Sequence, residues 1–231
     1  MQRRDEETER DWQATLANST PEEILVWAGR EFGAENVTLA CSFGGVSGMV
    51  LLELTRKLLP ATSVFTLDTG FLFPETHALR EAAATRYGFV PLVLTPAADA
   101  TPGPRLPTTD ACCAARKVAP TRRGLAGKSA WIAGLRRDQS RTREALQPVA
   151  WDDEFGLYKI APLWSWTEEQ CQDYIQSHDT PVNALHAQGF PSIGCWPCTR
   201  AIKPGEDLRA GRWEGEEKLE CGLHLKTGGA S

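Results

Sequence analysis

The chain has 231 residues, 42% of them hydrophobic, with a formal net charge of −5; that is enough apolar material for one sizeable core, so a single domain over 1–231 is expected. The negative balance argues against nonspecific nucleic-acid binding, and no apolar run approaches the length of a membrane span. Seven cysteines, an odd number grouped in pairs and singles, fit metal binding in a reducing compartment better than a disulfide framework, and the charged N-terminus has no apolar leader core; the expectation is a cytoplasmic protein without a membrane partner.

Residues 1–35 read as an acidic helical entry, in which Ser19-Thr20-Pro21-Glu22-Glu23 supplies an N-cap, Pro at the first helical position and acids in the first turn. From Val37 to Phe43 the pattern turns β-rich and runs into Gly44-Gly45, after which Val46 to Leu59 reads as a helix ended by Pro60. A strand, glycine turn and helix in that order present backbone N–H groups to an anion, although such turns also carry glycine for steric reasons alone. Further strands are expected at Ser63–Leu67, Phe89–Leu94 and Ser129–Ala133, with a helix after Pro74-Glu75-Thr76. The alternation implies an α/β fold, a parallel twisted sheet with helices on both faces, whose ligands collect at the strands' C-terminal ends. The loops after Phe43, Leu67 and Ala133 should then line one crevice.

Residues 95–107 are rich in Pro, Ala and Gly and are expected to form a mobile connection. Thr109 to Lys117 reads as a short capped helix bearing Cys112 and Cys113, with Lys117 one turn beyond Cys113, either at the surface or beside the sulfur. Arg136, Arg137, Arg141 and Arg143 fall within eight residues and suggest a concentrated anion site. A helix start near Trp164–Gln170 puts Cys171, Tyr174 and Ile175 on one face, so Cys171 reads as core, as Cys41 does on its strand; His178 and His186 read as polar loop residues.

The paired cysteines carry the strongest chemical signal. Cys195 and Cys198 form a Cys-x-x-Cys turn, and their only paired counterparts are the adjacent Cys112 and Cys113. Zinc half-sites space their cysteines by two to four residues. Adjacent side chains on a helix diverge by roughly 100°, which suits separate corners of a larger object. A [4Fe–4S] cluster is such an object, with zinc as the alternative. In the tail, Glu220-Cys221-Gly222-Leu223-His224 offers Cys221 either as an incidental cysteine or as a nucleophile activated by His224 or nearby arginines.

With these motifs in view, the sequence resembles the iron–sulfur adenylyl-sulfate (APS) reductases of the APS/PAPS reductase family. The resemblance rests on Cys112-Cys113 with Cys195-x-x-Cys198, Leu67-Asp68-Thr69-Gly70 with Pro74-Glu75-Thr76, Gly134 to Ser140, and Glu220 to His224, and spans roughly residues 37–224. It implies an adenine nucleotide α-hydrolase-like sheet plus a mobile C-terminal tail: a helical entry at 1–35, a nucleotide and cluster core at 37–200, and a tail at 201–231. It further implies a [4Fe–4S] cluster on the four paired cysteines. Ser42, Gly44 and Gly45 would cradle the nucleotide, with Leu67 and Thr69 beside the adenosine and Gly134 and Arg143 in the arginine loop. Lys117, Arg209 and Arg212 would surround the phosphosulfate, and Cys221 would be the nucleophile. The implied reaction is thiol-dependent reduction of APS to sulfite and AMP through an S-sulfocysteine in assimilatory sulfate reduction and cysteine biosynthesis, with thioredoxin or a similar dithiol protein as reductant. Relatives are often oligomers, so a homo-oligomer is carried over by analogy. Two departures stand out: Ser47-Gly48 replaces a common acidic pair, and the spacer from Arg212 to Cys221 is short with one Trp. The competing readings are a PAPS reductase, an ATP-pyrophosphatase-type RNA-thiolating enzyme and a zinc-stapled binding module.

Overall fold

The computed structural model describes residues 2–98, 108–214, 216 and 223. At its centre are the strands β1 (Val37–Ala40), β2 (Ser63–Leu67), β3 (Leu92–Leu94), β4 (Ala130–Ala133), β5 (Val149–Asp152) and β6 (Leu157–Ile160). They form one six-stranded sheet in the order β3-β2-β1-β4-β6-β5. All neighbours are parallel except β5 and β6. Strands covered on both faces read as continuous apolar runs, and Val37, Leu39, Trp131 and Ile132 are accordingly buried.

Sequence reasoning overlooked the β5–β6 hairpin. Its signal was Val-Ala-Trp-Asp and Leu-Tyr-Lys-Ile flanking Asp153-Glu154-Phe155-Gly156, with Gly156 at φ +69°. The expected strands were also too long: β1 stops at Ala40 and β3 begins at Leu92, because pairing with the neighbouring strand, not apolar content, sets where a strand ends. His178 closes a helix, stacked on Tyr174 at 3.9 Å, and is no loop residue. His186 lies in a short 3-10 turn with Nδ1 2.9 Å from the Phe190 carbonyl, and burial pulls its pKa down.

The entry helices are α1 (Glu6–Leu16) and α2 (Pro21–Phe32). Thr20 and Glu23 form a reciprocal capping box at the start of α2. Helix α1 lies against β5: Gln13 Nε2 donates to the Val149 carbonyl at 3.0 Å, and Glu9 accepts from the Trp151 N–H at 3.3 Å. Trp12, Trp27, Phe32 and Tyr158 pack edge-on beneath it. A helix thus covers one edge of the sheet, which an exposed antiparallel strand would otherwise leave open to pairing.

Helices α3 (Val46–Leu58), α4 (Pro74–Tyr87) and α7 (Glu168–His178) complete the layers. Between β3 and β4 the helix expected at 109–117 is longer. It runs as α5 (Thr109–Cys113), a π turn (Ala114–Val118) and α6 (Ala119–Leu125) without a break. Residues 201–214, expected to begin a mobile tail, fold back on the chain: Thr199 bridges Arg212 and the Trp213 N–H donates to the Cys198 carbonyl at 3.2 Å. Most of the connection expected at 95–107, namely 99–107, and the tail positions 215, 217–222 and 224–231 lie outside the described residues.

The link from β1 to α3 turns through Phe43, a fully buried residue at φ +54°, a left-handed conformation that costs a side-chain-bearing residue roughly 1–2 kcal/mol. Asn183 holds it there. Its Nδ2 donates to the Phe43 carbonyl at 3.0 Å and to Thr76 Oγ1 at 3.1 Å, and its Oδ1 accepts from the Leu185 N–H at 3.1 Å. Replacing Asn183 by Ala orphans buried groups, so urea unfolding should show a loss of about 2 kcal/mol; an unchanged midpoint would mean the turn holds itself.

Candidate active site

Strand β2 follows β1 on one side and β4 lies on the other, so the chain changes direction between β1 and β4. In open α/β sheets the crevice forms there, beyond the strands' C-terminal ends. The loops after β1 and β4 line it, together with the first turn of α3, whose N-cap position is Gly45, with no side-chain cap. Gly45, Val46, Ser47 and Gly48 of this uncapped helix start line the crevice, and a free helix N-terminus is a place where anions bind. Gly44 lets the loop press against a distant stretch: a Cβ there would stand 3.0 Å from the Ile193 carbonyl oxygen. The glycine turn and the Ser192-Ile193-Gly194 approach to Cys195 are thereby fitted together, and the latter residues line the crevice without having been expected there.

The crevice encloses about 350 Å³. Ser42, Gly44, Gly45, Leu67, Thr69, Lys117, Gly134, Arg143, Arg209 and Arg212 all line it. Ten residues spread over 171 positions (212 − 42 + 1) therefore line one cavity, and Leu223 lines it too. Cys221, two positions before Leu223 in the sequence, lies outside the described residues.

Two arginines of the arginine-rich stretch, Arg136 and Arg143, line the crevice. Arg136 is buried and engaged: Nε donates to Asp138 at 2.8 Å, Nη2 to Glu168 at 2.7 Å, and Nη1 to Ser47 Oγ. Arg137 lies over Trp164 at 4.1 Å and donates to the Leu146 carbonyl. Arg143, braced by the Gln139 carboxamide, lines the crevice. Neighbours in sequence are dispersed because each faces a different carboxylate, ring or carbonyl, which composition cannot reveal. The same contacts give Ser47 a structural role: its hydroxyl ties the start of α3 to the β4 loop through Arg136.

Cys112, Cys113, Cys195 and Cys198 line a second, smaller chamber with Phe71, Thr109, Arg116, Lys117, Pro197 and Trp213. The loop after β2 (Ser63–Leu67) joins the two cysteine stretches. Thr69 Oγ1 lies 3.2 Å from Cys195 Sγ, and the Thr69 carbonyl accepts from Arg116 Nη1 at 2.9 Å. Arg116 also sits over the Phe71 ring at 4.4 Å, and the Phe71 carbonyl accepts from the Trp196 N–H at 2.8 Å. Among the described residues no three His, Cys, Asp or Glu side chains are grouped to hold a single metal ion. Four thiols bounding one chamber are donors of the kind that both a tetrahedral zinc ion and an iron–sulfur cluster take. Lys117, Cys195 and Trp213 line both the chamber and the crevice.

The remaining described cysteines behave as core residues. Burial pushes the Cys41 thiol up to about 12. It pushes Cys171 up to about 11 despite Arg136 Nη1 at 3.7 Å. Neither carries appreciable thiolate near neutrality, and thiolate is the reactive form.

Residues 36–201 match the family described as phosphoadenosine phosphosulfate reductase domain. The chain is 43% identical to the adenosine 5'-phosphosulfate reductase of Streptomyces coelicolor, over 90% of each chain. It is 45% identical to the phosphoadenosine 5'-phosphosulfate reductase of Gloeobacter violaceus, over 88% of each. Among solved structures it is similar to the phosphoadenylyl-sulfate reductase of Candida auris in a phosphate complex, with a TM-score of 0.74 and 27% identity, covering 86% of this chain and 98% of the other. A crevice at the sheet's switch point, a neighbouring four-thiol chamber and these similarities agree: the chain belongs to the phosphoadenosine phosphosulfate reductase family.

Proposed function

We propose that this protein is an adenylyl-sulfate reductase, which uses Cys221 to take sulfur from APS, releases AMP and then sulfite, and carries a [4Fe–4S] cluster on Cys112, Cys113, Cys195 and Cys198. The observation that carries the reading is the wall of Lys117, Cys195 and Trp213 common to the four-thiol chamber and the cationic crevice. The names of its relatives give the substrate class. The whole chain, 1–231, acts as one reductase unit in the cytoplasm, with its entry at 1–35, its core at 37–200 and the nucleophile in the tail at 201–231. Among the described residues no helix is long and apolar enough to cross a membrane.

In the first step the Cys221 thiolate attacks the sulfonate sulfur, the S–O bond to the phosphate breaks, and AMP leaves with that bonding pair. Cys221 is then an S-sulfocysteine. An anionic nucleophile approaches an anionic sulfonate, so the barrier is chiefly electrostatic. Lys117, Arg209 and Arg212 lower it by holding positive charge where negative charge accumulates. Ser42, Gly44 and Gly45, with the open end of α3, take the phosphate; Leu67, Thr69, Gly134 and Arg143 fix the nucleoside. In the second step a thiolate of an external dithiol protein, thioredoxin or one similar, attacks Cys221 Sγ and expels sulfite. The partner's second thiol then resolves the mixed disulfide and regenerates Cys221. Both electrons come from the partner dithiol, which leaves as a disulfide. The cluster supplies a fixed electrostatic field and a scaffold for the surrounding side chains; the two displacements need no further electrons. A homo-oligomer is consistent with the family.

The second reading is a preference for the 3'-phosphorylated nucleotide, favoured by the name of the Gloeobacter relative. Comparing kcat/KM on the two nucleotides decides it: APS should be preferred, and a reversed ratio would reassign the substrate.

Anaerobically purified protein should be brown and contain iron and acid-labile sulfide; zinc in their place would overturn the cluster. Cys221→Ser should abolish sulfite release while iron content and AMP binding stay at wild-type levels. Lys117→Ala should lower kcat/KM for APS by about 100-fold, the usual cost of removing one charge-stabilising donor, with iron retained; equal activity would place Lys117 outside the reaction.

A further inference from the structure

Arg200 follows the Cys195–Cys198 turn by two residues and lines neither the crevice nor the chamber, yet it is tied by several hydrogen bonds to the segment that brings Arg209 and Arg212 to the crevice. Nη1 and Nη2 fork onto Glu206 at 2.8 and 3.3 Å, Nε donates to Glu214 at 2.9 Å, and Nη1 also reaches the Ala201 carbonyl at 2.8 Å. Glu206 in turn accepts from the Lys203 N–H at 2.8 Å. The hydrogen bond from Arg200 holds the Glu206 carboxyl down at about 2, so the pair stays charged at any working pH.

The clasp closes a loop that the backbone already pins at its mouth, where the Arg200 N–H donates to the Gly211 carbonyl at 2.9 Å and Thr199 bridges Arg212. Inside the loop, the Arg209 N–H donates to Asp207 and the Arg212 N–H to the Arg209 carbonyl. Arg212 then lies against Gly194, where a Cβ would collide with its guanidinium, and donates to Ser192 at 3.1 Å. Both guanidinium groups face the Trp213 ring, at 5.6 and 4.5 Å.

We infer that Arg200 is a positioning residue: by clasping Glu206 and Glu214 it sets the height and orientation of Arg209 and Arg212 in the crevice, and it does so from the metal-binding turn itself. The inference rests on the reductase reading above. A planar fork that serves two carboxylates is something arginine offers and lysine does not. Its effect should fall on the phosphosulfate end of the substrate, because Leu67, Thr69 and Gly134 are held by other strands.

The test uses full-length, iron-loaded Arg200→Gln and Glu206→Gln proteins, with iron content, steady-state kinetics on APS, and equilibrium binding of AMP and of adenosine. Both variants should keep wild-type iron. Kd for AMP should rise and kcat/KM for APS should fall, each about tenfold, the factor that corresponds to one well-made charged contact, while the adenosine Kd changes little. The charge-swapped pair, Arg200→Glu with Glu206→Arg, should recover part of the AMP affinity. Adenosine and AMP affinities that move together, AMP affinity that does not move, or iron lost from both variants would each overturn the inference. Wild-type protein that binds AMP no more tightly than adenosine would overturn the underlying reading and this inference with it.

Discussion

The two cavities share a wall, and the polar chemistry of the chain depends on that. Lys117, Cys195 and Trp213 each face both the four-thiol chamber and the crevice. Charge placed in the chamber is therefore felt in the crevice across side chains and not across bulk water, where a lower effective dielectric makes the same charge count for more. The wall is built by a helix that changes its winding in the segment carrying Lys117. Cys112 and Cys113 end an α segment, and the π turn from Ala114 to Val118 carries Arg116 and Lys117. Single π turns are a recurrent way of re-aiming side chains at functional sites, and here Arg116 caps the Thr69 carbonyl while Lys117 looks into both spaces.

Around that wall, an acidic chain keeps its cations local. Several arginines that composition would assign to a ligand are consumed by the fold: Arg136 by Asp138, Glu168 and Ser47, Arg137 by Trp164, and Arg200 by Glu206 and Glu214. Arg136 itself lines the crevice, while Arg137 and Arg200 do not. Arg136 joins the start of α3 to the β4 loop and to α7. Arg200 does the corresponding work for Arg209 and Arg212. The distinction between a cation that meets the substrate and one that places another cation is invisible in a list of basic residues.

Much of the site was legible before the fold. Adjacent Cys112 and Cys113, the Cys195-x-x-Cys198 turn, the glycine loop after β1 and the loops ending β2 and β4 carry strong local signatures, and the resemblance they support named ten residues that the crevice brings together. The β5–β6 hairpin escaped because its strands are four residues each and their apolar pattern is short. The length of the 109–125 helix escaped because the cysteine pair and Pro120 look like interruptions in one dimension, while Pro120 sits in the first turn of α6 and the π turn carries the helix across. Trp213 read as one of a run of tail residues, and its place between the cavities had no local mark.

The amino-acid order alone determined which chemistry was available: thiols in two pairs, a glycine turn at a strand end, and basic residues grouped after Gly134 and before Trp213. Those are properties of spacing and side-chain type, and they survive without coordinates. Tertiary structure decided which of those groups meet. The approach of Gly44 to Ile193, of Thr69 to Cys195 and of Arg212 to Gly194 joins positions separated by 18 to 149 residues (212 − 194, 193 − 44). Contacts at such range follow from the packing of helices on both faces of a twisted sheet, where no local periodicity records which partner a side chain will find.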